Sequence, residues 1–375
     1  MIPFNRPSFD GNELAYISEA VMNRHTAGNG PLAKRAEAML QEIQGGGTVL
    51  LTTSCTHALE LSARLLDLQP GDEVIVPAFT FVSTASAFMW NGGAPVFADV
   101  REDTLNIDPD AVEALITDRT RAICIVHYGG VGAEPERFRH IAAERGLTLI
   151  EDNAHGLGAR YQGAALGTFG AMSTLSFHET KNITCGEGGA LVLNDPYLVE
   201  RAEILREKGT DRSRFSQGQV DKYTWVDIGS SWVLSDLLGG VLVGQLERFE
   251  EIQQTRKVLW TNYREGLADW AGEKGFLMPV IPEGTEHVGH MFHLRFADLV
   301  QRNQFIAHMR KRDILVVFHY QALDDSPIGR SLGRDSYCRN ARRAADTIVR
   351  LPIYASLSSA EQAHVISSAL SFPGG

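Results

Sequence analysis

The chain is poor in cysteine, in lysine and in unbroken apolar sequence. Its four cysteines, Cys55, Cys124, Cys185 and Cys338, lie far apart with no CxxC pair. That excludes a disulfide framework or a cysteine-rich zinc site and suits reduced thiols. Hydrophobic content of 44% without a bilayer-length apolar run, at a mean hydropathy of -0.12, argues against a spanning helix. The opening MIPFNRPSFDGNEL carries neither a basic segment nor the apolar stretch of a secretory signal, so a cytoplasmic location with no membrane partner is expected. Base is in deficit: 35 Lys and Arg against 46 Asp and Glu give -11, the wrong sign for nucleic acid held over a broad surface. An anionic ligand must be held by a local cluster. The GxSxG elbow and the phosphate-binding GxxxxGK[ST] loop are both missing, and Gly156-Leu157-Gly158 fails as a dinucleotide fingerprint because Tyr161 stands where the third glycine belongs.

At 375 residues the chain exceeds one ordinary domain. From Thr48 onward, short Val- and Ile-rich runs alternate with segments of helical period, the pattern of a mostly parallel sheet with crossover helices, so the fold class is α/β. Strands are expected at Val49–Thr52, Glu73–Pro77, Pro95–Asp99, Ala122–His127, Thr148–Asp152, Met172–Phe177 and Ala190–Leu193, with helices such as Thr56–Leu66, Pro109–Ile116 and Pro135–Arg145 between them. A charged helical pattern from Gln245 to about Trp270 reads as a bridge into a smaller α+β unit with strands at Phe292–Phe296 and Ile314–Phe318 and helices at Arg302–Lys311 and Ser359–Leu370. The expected division is residues 1–245 and 246–375.

His287, His290 and His293 form HxxHxxH, which on a helix would put three rings on one side. The run through Met291, Phe292 and Leu294 reads as a strand instead, where residues three apart face opposite ways, so no metal is expected.

Four features bear on chemistry. Of seven lysines, six sit in charged, helix-like or turn contexts; Lys181 instead follows the apolar run Met172–Phe177 and precedes the glycine-rich Cys185-Gly-Glu-Gly-Gly189. A lysine desolvated there has its ammonium form disfavoured, which makes the amine a nucleophile for a carbonyl. Leu147–Ile150 runs into Glu151 and Asp152, placing an acid at the carboxyl end of a parallel strand, with the two neighbouring acids on opposite faces. Asp152 suits either a helix cap or the partner of a protonated pyridine nitrogen. Thr52-Thr-Ser-Cys-Thr56 enters an amphipathic helix, offering first-turn amides to a phosphate or simply capping the helix. Pro77-Ala-Phe-Thr-Phe-Val-Ser-Thr84 offers an aromatic face, or a core ring. Together they are the parts that pyridoxal 5'-phosphate (PLP) needs.

Phe79-Thr-Phe81, Glu151-Asp152 with His155, Ser176-Phe-His-Glu-Thr-Lys181-Asn182 and Gly186-Glu-Gly-Gly189 resemble the PLP-dependent nucleotide-sugar aminotransferases of fold type I, the DegT/DnrJ/StrS group, along nearly the whole chain. The stretches LSFHETKN, GQVDKYTWVDIGSS and PGDEVIVPAFTFVSTA are similar to a branch of it that makes dTDP-4-amino-4,6-dideoxygalactose. The resemblance implies an aspartate aminotransferase-like fold with a large PLP-binding domain and a smaller C-terminal one. It implies that Lys181 carries the cofactor imine and shuttles protons, that Asp152 pairs with the pyridine nitrogen, that Phe81 and His155 flank the ring, and that Cys55, Thr56 and Ser176 hold the phosphate. Where the group often reads Gly-Tyr-Asn-Tyr-Arg this chain has Gly229-Ser-Ser231-Trp-Val233, so Ser231 takes the position that reaches the phosphate of a neighbouring subunit. The resemblance implies a homodimer with shared active sites, with L-glutamate and a dTDP-4-dehydro-6-deoxyhexose as substrates. A dehydratase of the same fold, in which histidine replaces the lysine, and a PLP-binding regulator are the competing readings. Lys222 and Tyr223 are candidates for the diphosphate and sugar, and His319 and Tyr320 for the sugar pocket, each beside a solvated-loop or core alternative.

Overall fold

The computed structural model describes residues 1–212, 218, 221–332 and 337–374. Residues 219–220, inside the GQVDKYTWVDIGSS stretch, lie outside the described residues.

Nine strands lie between Thr48 and Leu193: β1 (Thr48–Thr52), β2 (Glu73–Pro77), β3 (Ala94–Ala98), β4 (Thr120–Val126), β5 (Thr148–Asp152), the short β6 (Arg160–Tyr161) and β7 (Ala164–Ala165), β8 (Met172–Ser176) and β9 (Gly189–Leu193). Seven of them form one sheet in the order β1-β9-β8-β5-β4-β2-β3. The pairs from β8 through β5, β4 and β2 to β3 are parallel, and β9 is antiparallel to both of its neighbours. Helices cover both faces, which is why Glu73-Val-Ile-Val-Pro77 is buried at every residue instead of alternating. The helices begin and end where chain chemistry provides for it. Pro31 and Pro135 open two of them at a position where the missing N–H costs nothing, and Gly45 and Gly146 close them with φ of 75° and 65°.

The rest of the chain builds around β11 (Phe292–Arg295) and β12 (Ile348–Leu351), an antiparallel pair, while β10 (Thr285–Glu286) joins β6 and β7 in a three-stranded sheet. Helices Phe249–Lys274, Leu299–Arg310 and Ser359–Leu370 surround the pair. Tyr263, Phe292, Phe305 and Val349 bury fully in a core separate from those of the large sheet.

Two expected elements differ. The single helix from Gln245 is two, Asp236–Glu247 and Phe249–Lys274, because Arg248 adopts φ -103° and ψ 15° at the junction while its guanidinium binds Glu251 at 2.7 Å. Ile314–Phe318 forms no strand: Ile314 bridges Ile2 on one side and Val317 bridges Arg350 on another, so no continuous ladder exists for it.

The two acids ending β5 separate as alternation requires. Glu151 is fully buried and accepts from the amides of Gly167 (2.8 Å), Phe169 (2.7 Å) and Gly170 (2.7 Å), with His127 Nε2 at 2.8 Å. His127 Nδ1 accepts from the Ala133 amide, so Nε2 carries the hydrogen and donates to Glu151. Asp152 points the other way. E151A strips a buried carboxylate from four donors and is expected to destabilise the fold by about 3–5 kcal/mol. D152N, which relieves a desolvated charge, is expected to stay within about 1 kcal/mol of the parent. Chemical denaturation of the two variants side by side checks the contrast.

Candidate active site

A cavity of about 720 Å³ opens at the carboxyl ends of the parallel strands. Val126 ends β4, Asp152 ends β5 and Ser176 ends β8, and all three line it. The loop after β8 carries Lys181. Its backbone turns back on itself through Glu179 N to Gly186 O (2.9 Å), Cys185 N to Phe177 O (3.0 Å) and Phe177 N to Gly188 O (2.8 Å). Gly186 makes the return at φ 87°, a conformation that side-chain-bearing residues resist. Gly189 then lies against the helix start: a Cβ there would sit 2.3 Å from Cys55 N. The lysine turn and the Cys55–Leu65 helix are therefore in backbone contact. Ser54 caps that helix by accepting from His57 N at 3.1 Å, and the first-turn amides of Cys55 and Thr56 have no preceding helical carbonyl to serve.

Burial governs the electrostatics. Desolvation lowers Lys181 to about 8, opposed by Cys55 and Asp152. Desolvation raises Asp152, opposed by a hydrogen bond from Thr84 Oγ1 (2.8 Å) and by the lysine. Thr84 is itself 2.8 Å from Thr80 Oγ1, and the Ala154 amide donates to the other carboxylate oxygen at 3.2 Å. Burial pushes the Cys55 thiol up to about 12, so it is no nucleophile near neutrality.

Aromatic rings form the remaining wall. His155 Nδ1 accepts from the Gly129 amide (3.3 Å), leaving Nε2–H to donate to the Tyr320 hydroxyl (3.2 Å). Its ring stacks on His290 at 4.4 Å and 20°. His319 stacks on Tyr320 at 3.6 Å and lies 2.6 Å from the Tyr128 hydroxyl. Burial first, then nearby cations, holds His155, His290 and His319 well below the ordinary imidazole range, so they stay neutral.

Of the candidates read from sequence, Lys181, Asp152, His155, Cys55, Thr56, Phe81, Ser176, His319 and Tyr320 line this one cavity. Ser231, Lys222 and Tyr223 do not; all three are exposed, and Ser231 pairs through its backbone with Glu207. The histidine triplet disperses. His290 faces the cavity, His287 lies 4.3 Å from the Trp260 ring, and His293 sits in β11. Sequence reasoning missed Thr84, Arg350, His290 and Tyr128. Thr84 stood inside a quoted stretch, four residues after Thr80, in the first turn of the helix that begins at Ser83. Arg350, a lone base within Ile348-Val-Arg-Leu351, was visible only as an oddity of composition in a strand.

The residues present fit PLP: a desolvated amine, a buried carboxylate lacking a full counter-charge, free helix-start amides and flat neutral rings converge on a space of the right size. Comparison with known proteins agrees. Residues 7–370 match the DegT/DnrJ/EryC1/StrS aminotransferase family. Among solved structures, the aminotransferase TlmJ from Streptoalloteichus hindustanus superposes with a TM-score of 0.91 at 30% identity, covering 99% of this chain and 98% of that one. DesV of S. venezuelae, solved with a ketimine intermediate, gives 0.87 at 31% identity over 96% and 93%. Spr1654 from Streptococcus pneumoniae, solved in PLP and PMP forms, gives 0.91 for the PMP form at 26% identity over 98% of each chain.

Only the neutral amine attacks an electrophile, so lowering the lysine value raises its reactive fraction at neutral pH. In cofactor-free protein, the rate at which a small uncharged acylating reagent labels Lys181 is expected to climb with pH, reach half its limit near pH 8 and level off above it. Peptide mass spectrometry reads it; a midpoint near the ordinary lysine value of about 10.4 contradicts the desolvation argument.

Proposed function

From its place in the DegT/DnrJ/EryC1/StrS aminotransferase family, to which this chain belongs, we propose that it transfers the amino group of L-glutamate to C4 of dTDP-4-dehydro-6-deoxy-D-glucose. The products are a dTDP-4-amino-4,6-dideoxyhexose and 2-oxoglutarate. The observation that carries the reading is that Lys181 and Asp152 face one desolvated cavity at the strand ends. The long stretches around Lys181 and after Glu73 that resemble the C4-aminating branch support the choice of substrate.

PLP, when bound, supplies the electron sink that lets an amine leave one carbon and join another. The protein's residues do the rest. Lys181 takes the proton from the α-carbon of glutamate and, in the second half of the cycle, delivers one to C4 of the sugar, and its desolvation favours the neutral amine that accepts a proton. Asp152, held by Thr84 and the Ala154 amide, would pair with the pyridine nitrogen and keep it protonated. Cys55 and Thr56, with their first-turn amides, and Ser176, with its hydroxyl, would hold the phosphate, and Phe81 and neutral His155 would offer flat surface to the ring. The exposed Trp225, Val226 and Ile228, next to Lys222, Tyr223 and Ser231, suit a homodimer interface through which those three residues reach the partner's cavity.

Two outcomes test this. Purified enzyme with glutamate and the keto sugar should release 2-oxoglutarate and an amino sugar in equal amounts, with NMR couplings of the product giving the position and configuration of the new C–N bond; absence of both products refutes the assignment. Borohydride treatment of the holoprotein should fix the cofactor permanently on the peptide containing Lys181, and K181A should lose both labelling and turnover.

A further inference from the structure

A second, much smaller cavity lies where the N-terminal segment crosses the lysine turn, and Lys181 is the one residue that its lining shares with the active site. Asn5 fixes the crossing by donating to the Glu179 carbonyl at 2.8 Å, and Gln245 by donating to the Ser8 carbonyl at 2.7 Å. The space is about 10 Å³, room for one small guest and too little for a phosphate group or an amino acid.

Its lining is cationic. Arg256, on the helix Phe249–Lys274, is only 2% exposed. One terminal nitrogen donates to the His290 carbonyl at 2.7 Å, while Nε is buried without a hydrogen-bond partner. The Tyr354 hydroxyl, in the same lining, is likewise buried without a partner. Arg6 lies over the Tyr354 ring at 5.1 Å, and Glu361 meets its charge at 3.5 Å on the exposed side. No Asp or Glu belongs to the lining, and among the described residues none pairs with Arg256. Burial disfavours the charge on that guanidinium, and no neighbouring group offsets the effect.

A water molecule would meet both open hydrogen-bonding positions but leave the charge unanswered. Keeping an unpaired cation out of water costs several kcal/mol even after relaxation, and an anion in contact with it offsets that cost. Arginine Nε–H and a phenolic O–H are both donors, so one anion accepts from both at once. We propose that this cavity is a binding site for a single halide ion of about chloride's size, held between Arg256 Nε and the Tyr354 hydroxyl. The ion fixes the guanidinium that holds the His290 carbonyl. His290 in turn stacks on His155 and donates to Asn182, the residue after the lysine, so the ion stiffens the back of the active site. The site depends on neither the amino donor nor the sugar.

The test follows the melting midpoint of holoenzyme in chloride-free buffer, titrated with sodium chloride against sodium gluconate at constant ionic strength, gluconate being too large to enter. The parent should gain about 3 °C in a saturable response to chloride. R256Q should show no saturable gain, and Y354F should need roughly 10-fold more chloride for half the effect. Crystals of the parent holoenzyme soaked in sodium bromide should show an anomalous-scattering peak in contact with Arg256 Nε and the Tyr354 hydroxyl. A water at that place without anomalous signal, bromide confined to the exposed surface, or an equal chloride response in parent and variants overturns the inference. If R256Q does not fold, Y354F and the bromide map decide on the same outcomes.

Discussion

Everything in the site follows from keeping one amine and one carboxylate out of water in the same cavity. Each charge alone would be costly to bury, and the structure answers the cost incompletely: Lys181 drops to about 8 and Asp152 rises. That residual tension is the chemical asset. A lysine that is easily neutral can attack and carry protons, and an under-compensated carboxylate attracts a protonated ring nitrogen. The sheet makes the juxtaposition possible. β5 and β8 are parallel neighbours with Asp152 opposite Thr174, so the acid and the lysine-bearing turn leave the sheet at the same edge.

The surroundings protect this arrangement. Three imidazoles in or near the wall stay neutral because they are buried near cations, so they add flat surface without adding charge. His290 backs His155, and its Nδ1 donates to Asn182 Oδ1 at 2.9 Å, tying the ring stack to the residue after the lysine. Gly189 leaves no room for a Cβ beside the amide of Cys55, so the helix start lies in close backbone contact with the strand that follows the lysine turn. A site made of loops thus gains the rigidity of the sheet below it.

Much of this was legible in the residues. The β-strands of the large sheet were visible because both faces are covered and the strands read as unbroken Val and Ile runs. Lys181 stood out through scarcity and glycine-rich context, and the Glu151–Asp152 pair through simple alternation. What was not legible depended on distance in sequence. The break at Arg248 arises from a contact geometry that helical periodicity does not encode, and the expected strand at Ile314 lost its ladder because Ile2 and Arg350 approach from different sides. Thr84 and Arg350 belong to the site only because the fold brings residues far apart in the chain to one cavity. Ser231, Lys222 and Tyr223, which the resemblance singled out, lie outside the cavity that the other candidates share.

The most direct test of the central pairing is the protonation state of the bound cofactor's ring nitrogen. Holoprotein loaded with ¹⁵N-labelled PLP should show a nitrogen shift of the protonated form at every pH where the fold persists, and D152N should show the unprotonated form under the same conditions. A nitrogen that titrates identically in both proteins would contradict the account, because Asp152 would then be a buried acid with no bearing on the chemistry.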